Sequence, residues 1–169
     1  ARHEVVCLVR SQTGSGLNPT PTQMQAVIPS ATQRFGDVTD LSSLEYDGFC
    51  GERFDVLVSC LASRTGAPKD AWAIDYAAQV NVLNAAKAAG VSHIVLLSAI
   101  CVQKPLLEFQ HAKLAFEREL IDSGLTYSIV RPTAFFKSLS GQIERVKRGK
   151  PYLVFGDGQL TACKPISDG

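Results

Sequence analysis

Ser98 and Lys113 each combine a reactive group with a sequence position from which that group could reach a ligand. Ser98 ends an apolar run that is typical of a buried strand, where a hydroxyl could contact a cofactor or a substrate. Lys113 lies beside the apolar stripe of a predicted helix, so its ammonium could bind the ribose hydroxyls of a nucleotide or tune a proton transfer near a nicotinamide. Each residue also has a plainer interpretation. The serine could simply end the strand, and the lysine could form an exposed pair with Glu117 one turn later.

Arg10 is a third candidate, because it closes the apolar run Glu4 to Val9 and is followed by the hydroxyl of Ser11. In doubly wound sheets the residue that ends the second strand selects the cofactor. An acid there accepts the ribose hydroxyls of NAD, whereas an arginine faces the 2′-phosphate of NADP. The pattern predicts that Arg10 and Ser11 bind NADP and that this run is the second strand of the sheet. The alternative is a solvated arginine at a strand end.

Two further strand ends carry residues that suit a nucleotide. Asp37 and Val38 follow a short predicted strand near residues 33–35, and a carboxylate with backbone groups at that point could meet an adenine edge. An aspartate after Gly36 could equally serve only to form a turn. The next strand ends in small side chains that would let the backbone lie along a dinucleotide, namely Cys60, Leu61 and Ala62.

These candidates need a sheet whose strand ends share one edge, and the apolar pattern predicts one. Strands are predicted at Glu4 to Val9, Gln33 to Phe35, Phe54 to Leu61, His93 to Ser98, Tyr127 to Val130 and Tyr152 to Phe155. Most are apolar at consecutive positions, which indicates burial on both sheet faces. Helical spacing predicts helices at Ala71 to Ala89, Glu108 to Asp122 and Ala134 to Arg148. Strands alternating with helices predict parallel crossovers, hence an α/β doubly wound, Rossmann-like sheet.

Gly14, Ser15 and Gly16 lie where a dinucleotide fold could place its glycine loop, but Asn18 to Pro21 would not begin a helix promptly. We therefore treat this match as false and expect the first strand, its glycine loop and the first helix to lie upstream of Ala1. In the usual strand order that strand is central, and without it backbone groups on both neighbours are unpaired. We expect a natural polypeptide longer at both ends. Residues 1–150 would be an incomplete nucleotide-binding domain and 151–169 the start of a substrate-binding region.

Composition excludes several other classes of protein. The chain has 169 residues, enough for one domain, and its 17 basic and 16 acidic residues give no reason to expect nucleic acid. No apolar run approaches the roughly 20 residues of a membrane-spanning helix. Five cysteines without zinc-like spacing favour a reducing compartment and no metal. Three of them lie in or beside apolar runs, where we expect structural thiols: Cys7, Cys60 and Cys101.

Ser98 followed by Phe109-x-x-x-Lys113 resembles the Ser and Tyr-x-x-x-Lys active site of the short-chain dehydrogenase/reductase superfamily, with Phe replacing Tyr. Longer blocks resemble the 8-vinyl reductases of divinyl chlorophyllide, a family in the atypical, extended branch of that superfamily. The blocks are Val58 to Gly66, Leu96 to Glu117 and Tyr127 to Gln142. Residues 1–51 match more loosely. The chain departs from the family in lacking its glycine-rich loop and in stopping at Gly169.

The resemblance implies NADPH as cofactor and a tetrapyrrole pigment, divinyl chlorophyllide a, as substrate, in a chloroplast, with peripheral association with plastid membranes left open. It places Arg10 and Ser11 on the NADP phosphate, Lys113 on the nicotinamide ribose and Ser98 at the catalytic centre. It puts Asp37 and Val38 on the adenine and Cys60, Leu61 and Ala62 along the nucleotide. Beside the nicotinamide it puts Pro132, Thr133, Ala134 and Phe135.

The resemblance also gives Phe109 a role, because a phenyl ring has no proton to donate to a developing alkoxide. Hydride addition to a vinyl group conjugated with a tetrapyrrole would leave charge spread over the macrocycle, so a tyrosine acid is dispensable there. Phe109, Phe135 and Phe136 could offer apolar surface to the pigment, with at least one of them serving in core packing instead. Two alternatives stay open: another alkene or quinone reductase of the same branch, and a non-catalytic structural or regulatory subunit.

Overall fold

A computed structural model describes residues 3–10, 29–135, 140–153 and 157, which form parallel strands and a helical layer. The strands are β1 (Val6–Arg10), β2 (Thr32–Gly36), β3 (Val56–Ser59), β4 (His93–Leu97) and β5 (Thr126–Val130). Helix α1 joins Leu41–Ser43 to a wider π-helical segment, Leu44–Phe49. Helix α2 runs through Pro68–Ala71, a π-helical Trp72–Ala78 and Gln79–Ala88. Helices α3 and α4 are Glu108–Asp122 and Ser140–Lys147.

The strands form two parallel sheets, β1 with β2 and β3-β4-β5. In the first sheet Arg10 lies opposite Gly36, so the ends of both strands share one edge. In the second, Ile94 lies between Leu57 and Tyr127. Parallel pairing through helical crossovers confirms the predicted α/β doubly wound fold.

The two sheets approach each other along β1 and β3, which share one helical cluster. Leu8 of β1 and Leu57 of β3 both pack against buried residues of α1 and α2, namely Leu44, Val82 and Ala85. In the described part of the chain, β1 pairs with β2 alone and β3 with β4 alone. The break between the sheets falls where the strand order predicts a central strand.

A second cluster holds α2 and α3 against β4. Ile94 and Leu96 are almost fully buried and pack on Phe116 and Leu120 of α3. Burying each of these four side chains contributes roughly 1.5–3 kcal/mol, so this cluster makes a large contribution to the stability of the described residues.

On the opposite face of the β3-β4-β5 sheet, several described side chains are exposed. Val56, Val58 and Val130 point to that face and are 48%, 63% and 48% exposed. The prediction that strands are buried on both faces is therefore wrong for β3 and β5. The reason is the layering: α1, α2 and α3 pack together on the other face.

Other predicted elements differ in their bounds. Helix α1 was not predicted, although Asp40 caps it by accepting a hydrogen bond from the Ser42 N–H at 2.9 Å. The third predicted helix begins at Ser140, not at Ala134. Residues 131–135 lie outside any helix, and within them the Pro132 carbonyl accepts a hydrogen bond from the Ile100 N–H at 3.0 Å. Tyr152 and Leu153 form no strand, and the rest of that predicted strand lies outside the described residues.

Two cysteines were also predicted wrongly. Cys60 and Cys101 are exposed, whereas Cys7 is half-buried. Both exposed residues follow strand ends, and Cys101 has a left-handed backbone, with φ of 67°. A cysteine that follows the carboxyl end of an apolar run is therefore not necessarily buried.

Candidate nucleotide-binding site

The carboxyl ends of the strands bring together most of the predicted site residues. The backbone N–H of Ser98, just after β4, donates to the Val130 carbonyl at 2.8 Å, and Ile100 joins Pro132 in the same way. The segments that follow β4 and β5 therefore run side by side. Helix α3 lies next to them and carries Phe109 and Lys113 one turn apart.

Lys113 is buried, with only 8% of its side chain exposed. Its Nζ lies 3.0 Å from Oδ1 of Asp75 and donates to the Leu61 carbonyl at 3.2 Å. The interpretation of Lys113 as an exposed partner of Glu117 is therefore wrong. The structure brings the predicted lysine to the predicted loop after β3.

Asp75 is the residue that sequence reasoning missed. Its carboxylate is 1% exposed, lies in the π-helical segment of α2 and accepts the backbone N–H of Ser63 at 3.2 Å. Helical spacing predicts an apolar stripe through Trp72, Tyr76, Val80 and Leu83. Leu83 is buried, and Tyr76 and Val80 pack against the core, whereas Trp72 is 41% exposed. The buried face of the helix also carries small residues, and the signal that could have indicated the position of Asp75 is the series Ala71, Ala78, Ala85 and Ala86.

A second charged pair joins α3 to the segment after β5. Glu117 is 1% exposed and accepts hydrogen bonds from Nε of Arg131, at 3.1 Å, and from its Nη2. The hydrogen bond to Glu117 raises the pKa of Arg131, and the charge of Glu117 adds to this effect. The two-point contact fixes the orientation of the backbone that leads into Pro132 and Phe135.

Ser98 has a buried hydroxyl without a hydrogen-bond partner in the part of the chain that the structure describes. Ser59, which is also buried, donates to Oε1 of Gln79 at 2.7 Å. A buried hydroxyl left unpaired costs about 1–3 kcal/mol, so it is a natural point for a ligand to supply an acceptor or donor.

The other end of the edge carries Arg10, which is exposed at the end of β1. The Thr39 hydroxyl, and then its backbone N–H, lower the pKa of Asp37, with a smaller effect from the charge of Arg10. The backbone N–H and hydroxyl of Thr65 lower the pKa of Asp70, again with a smaller effect from Arg10. Arg10 therefore lies within electrostatic reach of two carboxylates, at the end of β2 and at the start of α2.

The remaining predicted residues have mixed surroundings. Asp37 is engaged in a local turn, since Oδ1 accepts the N–H and the hydroxyl of Thr39 at 2.8 and 2.7 Å. Val38 packs on the α1–α2 cluster, so its side chain belongs to the core. Phe109 is half-buried and lies beside Gly66. Ser11 and Phe136 lie outside the described residues.

Comparison with known proteins decides the family. The sequence model of a family described as NAD(P)H-binding matches residues 1–160. The chain belongs to this NAD(P)H-binding family. It is 56% identical over 97% of its length to a chloroplastic divinyl chlorophyllide a 8-vinyl-reductase of Cucumis sativus, and 55% identical over 97% to that of Arabidopsis thaliana. The resemblance predicted from the sequence blocks is thereby confirmed. The chain spans 41% of the length of each of these two relatives.

Solved structures of other proteins have the same fold. An NADPH-dependent quinone oxidoreductase from Escherichia coli, complexed with NADPH, is 25% identical and superposes with a TM-score of 0.60. The match covers 85% of this chain and 45% of that one. A UDP-galactose 4-epimerase superposes with a TM-score of 0.67 at 20% identity, covering 86% and 55% of the two chains, which supports the fold alone.

Two features are absent from the described residues of this NAD(P)H-binding chain, a metal-binding cluster and a membrane-spanning helix. No three His, Cys, Asp or Glu side chains gather there as a metal ion would require. Each helix in those residues is too short or too polar to cross a bilayer.

Proposed function

We propose that this chain is the nucleotide-binding part of an NADPH-dependent reductase that converts the 8-vinyl group of divinyl chlorophyllide a to ethyl. The observation that supports this proposal is 56% identity, across 97% of the chain, to a reductase of that name. The relatives are named chloroplastic, and we propose the same location for this protein. In this scheme residues 1–150 belong to the nucleotide-binding domain, and 151–169 begin the substrate-binding region.

The site chemistry fits NADPH at the nicotinamide end. Lys113 offers an ammonium for ribose hydroxyls, Leu61 a backbone carbonyl, and Ser98 an unpaired buried hydroxyl. The segment from Pro132 to Phe135 would lie beside the nicotinamide, held by the contact between Arg131 and Glu117. When bound, NADPH supplies the hydride for the reduction.

At the phosphate end we propose that Arg10 and Ser11 receive the 2′-phosphate, which favours NADPH over NADH. Arg10 is exposed and so is accessible to a phosphate. Asp37 and the backbone of Val38 would meet the adenine, and the backbone from Cys60 to Ala62 would follow the nucleotide. A 2′-phosphate would compete with the nearby carboxylate of Asp37 for the positive charge of Arg10.

Phe109 supports reduction of a carbon–carbon bond rather than of a carbonyl. It lies one turn before Lys113, at the position where the superfamily pattern has a tyrosine, and a phenyl ring cannot protonate an alkoxide. Phe109 and Phe136 would instead give apolar surface to a flat pigment.

The experiment is an anaerobic incubation of the complete natural polypeptide with NADPH and divinyl chlorophyllide a, with pigment products separated by chromatography. We expect conversion to the monovinyl form. Lys113→Met should weaken NADPH binding, while Lys69→Met, at an exposed lysine of α2, should leave it unchanged. Failure of the natural polypeptide to convert pigment that a related 8-vinyl reductase converts in parallel would refute the proposal.

A second candidate is an NADPH-dependent quinone reductase. It is favoured by the 25% identity to the Escherichia coli quinone oxidoreductase. A panel of quinones and pigments, each offered with NADPH, separates the two candidate functions. If the protein is a quinone reductase, its turnover of quinones should exceed its turnover of the pigment.

We also propose peripheral association with plastid membranes. Leu106 and Leu107, just before α3, are 90% and 57% exposed and would suit a lipid surface near an apolar substrate. Flotation with plastid-lipid vesicles tests this, and Leu106→Ser/Leu107→Ser should abolish it. Absence of flotation by the unaltered protein would reject the association.

A further inference from the structure

Asp75 is a fully buried carboxylate with two different partners. One is the ammonium of Lys113, 3.0 Å from Oδ1. The other is the backbone N–H of Ser63, 3.2 and 3.3 Å from the two oxygens. Burying a carboxylate is costly unless it is paired and hydrogen-bonded, so this geometry is set by Lys113 and Ser63 together.

The partners of Lys113 leave one direction free. An ammonium has three N–H donors. One points to Asp75 and a second to the Leu61 carbonyl, and the described residues provide no third acceptor. The side chain keeps 8% of its surface accessible, which is a narrow approach for one ligand atom.

A lysine by itself does not define such a direction. Its four-carbon stem is flexible and its ammonium is a point charge without a preferred plane. Asp75 removes this freedom on one side and Leu61 on another, while the Ser63 contact ties the loop that carries Leu61 to the same carboxylate.

We propose that Asp75 is a positioning residue that aims the third N–H of Lys113 at a hydroxyl of the nicotinamide ribose. This inference rests on the proposed function, since it assumes that the site takes NADPH. Asp75 acts through Lys113 and the loop at Leu61–Ser63, without touching the cofactor. The expected consequence is a loss of affinity confined to ligands that carry the nicotinamide ribose.

Two ligands separate this role from a merely structural one. NADPH carries the nicotinamide ribose, whereas 2′,5′-ADP carries the adenosine and the 2′-phosphate alone. In the complete natural polypeptide, Asp75→Asn should bind NADPH about tenfold more weakly, which corresponds to the lower end of a charged hydrogen bond. Its affinity for 2′,5′-ADP should stay within about twofold, because that ligand does not reach Lys113.

The matched control is Gln79→Met, one turn along the same helix. It removes a buried hydrogen bond to Ser59 but leaves Lys113 untouched. We expect a lower urea midpoint for Gln79→Met with an unchanged ratio of the two affinities. In a Lys113→Met background, Asp75→Asn should add less than about twofold, because the two residues act through one contact.

Asp75→Glu provides a second variant, since it keeps the charge and moves the carboxylate by one methylene. It should show the same selective loss of affinity for NADPH, and it replaces Asp75→Asn if that variant does not fold.

Three results would overturn the inference: equal loss of affinity for both ligands, no loss of affinity for NADPH, or full additivity with Lys113→Met. If the unaltered protein binds 2′,5′-ADP and NADPH equally, Asp75 has no such role although the proposed function survives. If it binds neither, the proposed function itself fails.

Discussion

Removing Arg131 should destabilise the protein more than removing the charge of its partner, Glu117. Glu117 is 1% exposed and Arg131 38% exposed, so Arg131→Met leaves a carboxylate stranded out of water. Leaving a buried charge without its partner costs about 3–5 kcal/mol. Glu117→Gln keeps an acceptor for an arginine that water already reaches, and should cost about 1 kcal/mol. Replacing both residues with Met should be less damaging than Arg131→Met alone.

Urea unfolding of the complete polypeptide measures these differences. Arg118→Met is the control, because Arg118 is exposed on the same helix and should change the free energy of unfolding by less than about 0.5 kcal/mol. The reasoning fails if Arg131→Met costs no more than Arg118→Met, or if the double variant is the least stable.

Three further predictions concern the loops and the apolar wall of the site. Phe109→Tyr should keep vinyl reduction within about twofold in a product assay, because no hydroxyl acid is required at that position; a tenfold loss would contradict this. Gly66→Ala should destabilise the protein by about 1 kcal/mol in urea unfolding, since φ is +68° while the added Cβ would meet only Phe109, at 3.9 Å; an unchanged midpoint would show that the backbone relaxes freely. Hydrogen bonds from Thr39 lower the pKa of Asp37 below 3.8, so its contribution to stability is present above that pH and is lost as the pH falls below it. Asp37→Asn should flatten the loss of stability in that acid range, and an unaltered pH profile would contradict it.

Much of the architecture was predictable because strong local patterns coincide with tertiary structure. Helix α3 was predicted at Glu108 to Asp122 and has those bounds, with its apolar stripe facing the core and Gly124 in the left-handed conformation beyond its end. Strand β4 was predicted one residue too long. The candidate site residues at strand ends could be placed near one another because parallel strands bring their carboxyl ends to one edge.

The missed features depend on contacts between residues far apart in sequence. Asp75 and Lys113 are separated by a strand, and no local period indicates that they pair. Helix α2 buries alanines beside Val82 and Leu83 while Trp72 is 41% exposed, so a search for large apolar residues finds only part of the buried face. Helix α1 has a single buried residue, Leu44, too few to give a periodic signal.

In the described part of the chain, β4 is the strand with hydrogen-bonded neighbours on both sides. Its amides should therefore exchange with solvent deuterium most slowly, opening only when the whole domain unfolds. Ser98 directly follows this most persistent segment, whereas Arg10 ends a two-stranded ribbon whose amides should exchange sooner. Under the proposed function, we therefore expect the nicotinamide end of the site to be ordered before NADPH binds and the phosphate end to become ordered on binding, so that the entropic cost of binding falls mainly at the phosphate end.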